Sequence, residues 1–349
     1  MKKLMNDAEN IVVDLCKGLV LAHPELAFNE LHKIISRKEK HNNVALISGG
    51  GSGHEPAHAG FVGQGMLDAA VCGDVFASPS QIQIYKALTQ VASDKGVLMI
   101  IKNYSGDMMN FQNGAALATD DGIQVDYVKV ADDIAVEDSL YTVGRRGVAG
   151  TVFVHKIAGA AAAQGHELAR VKEIAQKAAD NVTSLGFAFS SCTVPAKGTP
   201  TFTLADDEME YGVGIHGEPG IRREKILPSQ QLAQRIIDDL LKDRPHLSEV
   251  AVLINGFGAT PMQELYLFNQ DVCQYLAKKG ITIYRTFVGN YMTSIDMAGA
   301  SVSLLALDDE LKTYLDAKAN TPAFKMDGSA AQPIEFGTDD AKAEDLFNV

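Results

Sequence analysis

Four short apolar runs, at residues 44–47, 67–71, 97–101 and 123–130, punctuate the early part of the chain and are separated by stretches with helical spacing. That alternation predicts a parallel sheet with helices on its faces. One junction is sharply marked. Ser78 as cap, Pro79 in the first turn and Gln81 reaching back precede Ile82, Tyr85, Leu88 and Val91 at helical spacing, which predicts a helix over 79–92. The alanine-rich stretch 150–182 sets Ile157, Ala161, Leu168, Val171 and Ile174 near one face and reads as a long helical segment closing a first unit.

A second strand-rich set opens at Leu185 and continues through "EYGVGIHGEPGI". Helices are predicted over 229–242 and 262–279, and strands over 250–254, 281–287 and 301–307. The expected fold class is α/β, built as two α/β domains of which the first has a largely parallel sheet flanked by helices. Residues 1–183 form the first domain, with a glycine-rich loop, His54 and Asp107, and residues 184–325 form the second, with His216. Residues 326–349 are polar, acidic and aperiodic, which predicts a mobile tail that Ile334, Phe336, Leu346 and Phe347 could anchor in part.

The length of 349 residues fits this division, because single cores stop growing near roughly 250 residues. A formal net charge of -13 gives the molecule a field that repels nucleic acid and anionic membrane surfaces, so neither is expected as a partner. Cys16, Cys72, Cys192 and Cys273 lie far apart without Cys-x-x-Cys spacing, which argues against a zinc site and a disulfide framework and for a reducing compartment. The opening "MKKLMNDAEN" has no signal-type apolar stretch behind it, and no run approaches the about 18 apolar residues of a membrane span. The expected location is the cytoplasm. His23, His32, His41, His155, His166 and His246 are scattered, and no metal is expected in this chain.

Candidate chemistry sits on four glycine-bearing stretches, "SGGGSGHEP" from Ser48, "KNYSGDMMNF" from Lys102, "DSLYTVGRRG" from Asp138 and "GVGIHGEPG" from Gly212. The first two follow predicted strands, and ligands of open α/β sheets bind beyond the carboxyl ends of the strands. A glycine-rich turn leaving a strand suits backbone that wraps something small, and His54 at the start of a following helix is either an acid–base group facing that pocket or a capping histidine. Asp107 is either a first-turn helix acid or a base held by Lys102. His216 either emerges from a glycine-dense turn or is a buried, hydrogen-bonded histidine, and Tyr141, Arg145 and Arg146 are either anion binders or structural.

Taken together, "SGGGSGHEP", "IKNYSGD", "SLYTVGRRGVAGT", "CTVPA" and "FTLADDEMEYGVGIHGEPGI" resemble the dihydroxyacetone-binding K subunits of bacterial dihydroxyacetone kinases. The resemblance runs in order from Met1 to about Lys325, through "NGFGATPMQELY" and "TSIDMAG". It implies that a ring nitrogen of His216 bonds to the carbonyl carbon of dihydroxyacetone as a hemiaminal, with His54 and Asp107 flanking the hydroxyl to be phosphorylated. Gly51, Ser52, Gly53 and Lys102 would hold the rest of the triose. A bond to carbon matters for so small a ligand, whose affinity cannot exceed about 1.5 kcal/mol per heavy atom. It also requires a neutral His216, with a pKa not raised far above the reference of about 6.5.

No Gly-x-x-x-x-Gly-Lys-Ser/Thr loop is present, and the resemblance is to split systems that lack a nucleotide domain on this subunit. It implies no cofactor in this chain, nucleotide and magnesium on a separate L subunit, recharging by a phosphotransferase-system M protein, and a homodimeric K subunit. Two rival readings remain. One is a non-catalytic relative that senses dihydroxyacetone and co-activates a transcription factor; the other is a stand-alone enzyme whose glycine loop binds nucleotide.

Overall fold

The computed structural model describes residues 2–139 and 142–333. Its first half runs α1 (Ile11–Ala22), β1 (Leu26–Asn29), β2 (Ile34–Arg37), β3 (Ala45–Ser52), β4 (Ala69–Val75), α2 (Gln81–Val91), β5 (Val97–Lys102), α3 (Ser105–Asp120), β6 (Val125–Val130), α4 (Thr151–Ala163) and α5 (Leu168–Asp180). The second runs β7 (Val182–Ala188), β8 (Glu208–Tyr211), β9 (Arg222–Lys225), α6 (Ser229–Asp243), β10 (Glu249–Gly256), α7 (Met262–Lys278), β11 (Thr282–Gly289), β12 (Gly299–Ala306), α8 (Asp309–Asp316) and the small pair β13 (Ala319–Asn320) and β14 (Lys325–Met326).

The strands form two six-stranded sheets, β1-β2-β4-β3-β5-β6 and β11-β10-β12-β7-β8-β9. In the first, β4, β3, β5 and β6 are parallel and the β1–β2 hairpin joins antiparallel at one edge. The second is mostly antiparallel, with only β10 and β11 parallel. The two-sheet α/β architecture and the largely parallel first sheet are as the apolar pattern predicts.

Each central strand is apolar on both sides because each feeds two cores. On β5, Val97, Met99 and Ile101 face α2 and α3, while Leu98 and Ile100 face the middle of the molecule. On β10, Val250, Val252 and Ile254 face α6 and α7, and Ala251 and Leu253 face the same middle. That shared core is filled by α4, buried without interruption from Thr151 to Ala162, which is why its sequence lacks a polar face. Small residues let it approach closely: a Cβ on Gly159 would stand 2.2 Å from the Gly65 carbonyl oxygen.

Three local expectations are corrected. The predicted helix at 79–92 is capped two residues later, by Ser80 in a capping box with Gln83, because that pair repeats the Ser-x-x-Gln spacing closer to the first buried turn. The stretch 150–182 is two helices, since Gly165 at φ +80° turns the chain between α4 and α5. The hairpin β1–β2, α1 and α8 add elements that the apolar runs did not mark. The expected anchors Ile334, Phe336, Leu346 and Phe347, with the tail beyond residue 333, lie outside the described residues, as does Tyr141.

Candidate active site

The triple glycine of "SGGGSGHEP" is not a turn but the end of β3, which runs on to Ser52. β4 and the residues after it pass too close for side chains: a Cβ on Gly49 would lie 2.4 Å from the Val71 carbonyl oxygen. Gly50, at φ +152°, faces the other way, where a Cβ would stand 3.3 Å from Lys102 Nζ and 3.4 Å from Asp107 Oδ2. The glycine stretch therefore leaves room for two opposite charges that converge from the end of β5 and the first turn of α3. His54 follows in an irregular segment instead of at the start of a helix, and only a short turn at Ala59–Phe61 comes after it.

His54 is fully buried, and its backbone is gripped by the residues that precede β12: Thr293 N donates to His54 O at 3.2 Å and Ile295 N to Gly53 O at 2.8 Å. Its Nδ1 donates to the Thr293 carbonyl at 2.8 Å. The lone pair left on Nε2 points at Nε2 of His216, 3.2 Å away, across 162 positions of sequence. The His216 ring is held edge-on by Tyr104, with centroids 4.5 Å apart, and by Phe76 at 5.3 Å.

The loop carrying His216 is fixed from below. Buried Arg146 bonds Asp133, the Gly212 carbonyl and Glu218, and Glu218 in turn accepts from the His216 N–H at 2.9 Å. Arg146 is thus a clamp on the loop, while Arg145 pairs with Asp243 at 2.6 Å.

Burial, with Lys102 nearby, pushes both His54 and His216 well below the usual imidazole range, so both rings are neutral with available lone pairs. Burial raises the Asp107 carboxyl, while Lys102 and a hydrogen bond from Ser78 pull it back. Lys102 is lowered by burial and supported by Asp107 and Asp132.

A cavity of about 420 Å³ opens onto these groups, with Gly51, Phe76, Tyr104, Asp107 and His216 in its walls. Val194, Lys197 and Thr201, from the segment after β7, form the facing wall. Among the described residues eight buried side-chain nitrogen or oxygen atoms lack a hydrogen-bond partner; five belong to Lys102, Tyr104, His58, His155 and His216. Buried orphans are costly, about 1–3 kcal/mol each, and three of the eight, on Tyr104, Thr201 and His216, belong to residues of the cavity wall, which marks a place prepared for a polar ligand.

The candidates His54, Asp107, His216, Lys102 and Gly51 thus come together. Two others have backbone or hydroxyl groups already engaged: Ser52 Oγ donates to the Gly73 carbonyl at 2.7 Å, and Gly53 N–H donates to the Glu55 carboxylate at 3.0 Å. Sequence reasoning missed Tyr104, Phe76 and Thr293, which only the fold brings to the rings. It also missed His58, four residues after His54, whose Nδ1 lies 2.8 Å from His155 Nε2. Among the described residues no three His, Cys, Asp or Glu side chains converge as a metal site, and no helix is long and apolar enough to cross a membrane.

Residues 17–323 match the Dak1 domain. The dihydroxyacetone-binding subunit DhaK of PTS-dependent dihydroxyacetone kinase 1 from Listeria innocua is 51% identical over 314 residues, which cover 89% of this chain and 95% of that protein. The solved structure of the dihydroxyacetone kinase operon co-activator DhaQ aligns with a TM-score of 0.84 at 38% identity, over 89% of this chain and 97% of that one. The dihydroxyacetone kinase from C. freundii in complex with AMP-PNP and Mg2+ aligns with a TM-score of 0.89 at 37% identity, over 96% of this chain and 62% of that longer one.

Proposed function

The chain belongs to the Dak1 family, and from that membership and the site's geometry we propose that it is the dihydroxyacetone-binding subunit of a phosphoenolpyruvate-dependent dihydroxyacetone kinase. The observation that carries the proposal is the contact of two neutral histidines, His54 and His216, of which His216 lines a cavity together with Asp107, with the charge of buried Lys102 acting on both rings. His216 adds to the ketone: a nitrogen–carbon bond forms, the carbonyl π electrons move to oxygen, and that oxygen takes a proton while the ring gives up its N–H proton. His54 Nε2, 3.2 Å from His216 Nε2, is placed to carry that proton. The adduct is uncharged, selects a carbonyl over glycerol, and leaves a terminal hydroxyl for transfer.

Asp107, made more basic by burial yet kept ionised by Lys102, takes the proton of that hydroxyl, with His54 beside it. Gly51 to Gly53 and Lys102 border the remaining hydroxyl. The phosphoryl donor is a nucleotide with magnesium on a separate L subunit, recharged through a phosphotransferase-system M protein. This chain acts in the cytoplasm as a homodimer, holds no cofactor of its own and alone does not bind ATP.

A second reading follows from the co-activator likeness: a sensor that binds dihydroxyacetone without transferring phosphate. Transfer of phosphate to dihydroxyacetone in the presence of purified L and M partners decides between them. Turnover is the expected result; adduct formation without turnover would replace the kinase reading with the sensor.

A further inference from the structure

A second, larger cleft, of about 720 Å³, is lined by Met108 and Gln112 of α3 and by Arg145, and shares no lining residue with the cavity just described. It opens between β6, α5 and the start of β7. In a chain of net charge -13, its walls carry four cations, Lys129, Arg145, Lys172 and Arg244, against a single carboxylate, Asp180. Three of the four lean on carboxylates or carbonyls: Arg145 on Asp243 at 2.6 Å, Lys172 on Asp126 at 2.7 Å, and Arg244 on the Asp180 carbonyl. Lys129 is exposed and forms no ion pair among the described residues.

The independent sign of a ligand is Thr183. It is 2% exposed, it lines this cleft, and its hydroxyl has no hydrogen-bond partner. A buried hydroxyl without a partner costs about 1–3 kcal/mol, so its place at a cation-lined wall points to an acceptor that comes from outside the chain. Tyr127, whose oxygen accepts from Gln112 at 3.2 Å, has its own proton left to donate into the same space.

We propose that this cleft is a binding site for a small phosphate dianion, free or as a phosphomonoester, held by Lys129 and the two guanidinium groups with Thr183 and Tyr127 as neutral partners. Guanidinium forks and an unpaired ammonium match the several acceptor oxygens of phosphate better than a single carboxylate. The site owes nothing to His216, which is not among its lining residues.

The test is equilibrium dialysis of inorganic phosphate, and separately of glycerol phosphate, against the full chain, with dihydroxyacetone saturating every variant that forms the adduct. One site is expected in the wild type, unchanged in His216→Ala, about tenfold weaker in Lys129→Ala and severalfold weaker in Thr183→Val, which keeps its shape and fold. Tighter binding of glycerol phosphate assigns the site to esters, and equal binding assigns it to the phosphate group alone. Binding equal in the wild type and both cleft variants, binding lost only in His216→Ala, or no binding at millimolar phosphate would overturn the proposal.

Discussion

Two buried histidine pairs stand near Lys102, and the contrast between them shows what makes a site. His54 and His216 meet at 3.2 Å, His58 and His155 at 2.8 Å, and every one of the four rings is lowered first by burial and then by the charge of Lys102. Electrostatically they are alike. They differ in what adjoins them: His216 lines the cavity, whereas His155 is sealed on α4 beside Phe61, and His58 Nδ1 reaches only Ser48 at 3.4 Å besides its partner. A shifted titration alone therefore does not identify chemistry; open volume, a fixed proton acceptor and an orphaned nitrogen together do.

The largest effect that would sharpen this contrast comes from Asp107→Asn, which keeps the charge-free shape of the pocket but removes the base. Phosphate transfer is expected to fall by about 10²–10⁴-fold while the dihydroxyacetone adduct persists by mass spectrometry; transfer at the wild-type rate would remove Asp107 from the reaction. Next comes Gly50→Ala. Its φ of +152° is costly for any residue with a Cβ, about 1–3 kcal/mol, and the added atom would press on Lys102 Nζ and Asp107 Oδ2. Adduct formation should weaken by tens of fold in a titration, and a full-strength titration would show that the glycine serves only strand packing.

The smallest effect probes the sealed pair. His155, held down to about 3, binds no proton in the folded state where the unfolded chain, near 6.5, does. Stability from this residue is complete above about pH 6.5 and is lost as pH falls toward 3, because there the unfolded state binds more protons. Urea midpoints of His155→Gln should therefore fall less steeply below pH 6.5 than those of the wild type, by up to about 1.36 kcal/mol per pH unit, with adduct formation unchanged. Equal slopes would mean that His155 is protonated in the fold, and a lost adduct would make the two pairs one site.

The sequence made the central architecture legible and left the site half drawn. β5, β10, β12, α6 and α7 stand out because strands buried on both faces are continuous apolar runs and the two helices have regular amphipathic spacing. The β1–β2 hairpin is invisible to that logic, being two four-residue strands of mixed burial at an edge. The glycines at 49–51 read as a turn because their true constraint, the backbone of β4 crossing against them, is tertiary. Asp107 was legible as a first-turn acid beside Lys102, but nothing local in "GVGIHGEPG" indicates that its histidine meets His54. Only the family resemblance supplied that pairing.

The central claim is tested most directly by the intact mass of the protein with and without dihydroxyacetone. The wild type should gain the full mass of one dihydroxyacetone without loss of water, and His216→Ala should gain nothing while His155→Gln gains as the wild type does. An unchanged increment in His216→Ala, or one reduced by the mass of water, would contradict a hemiaminal at His216.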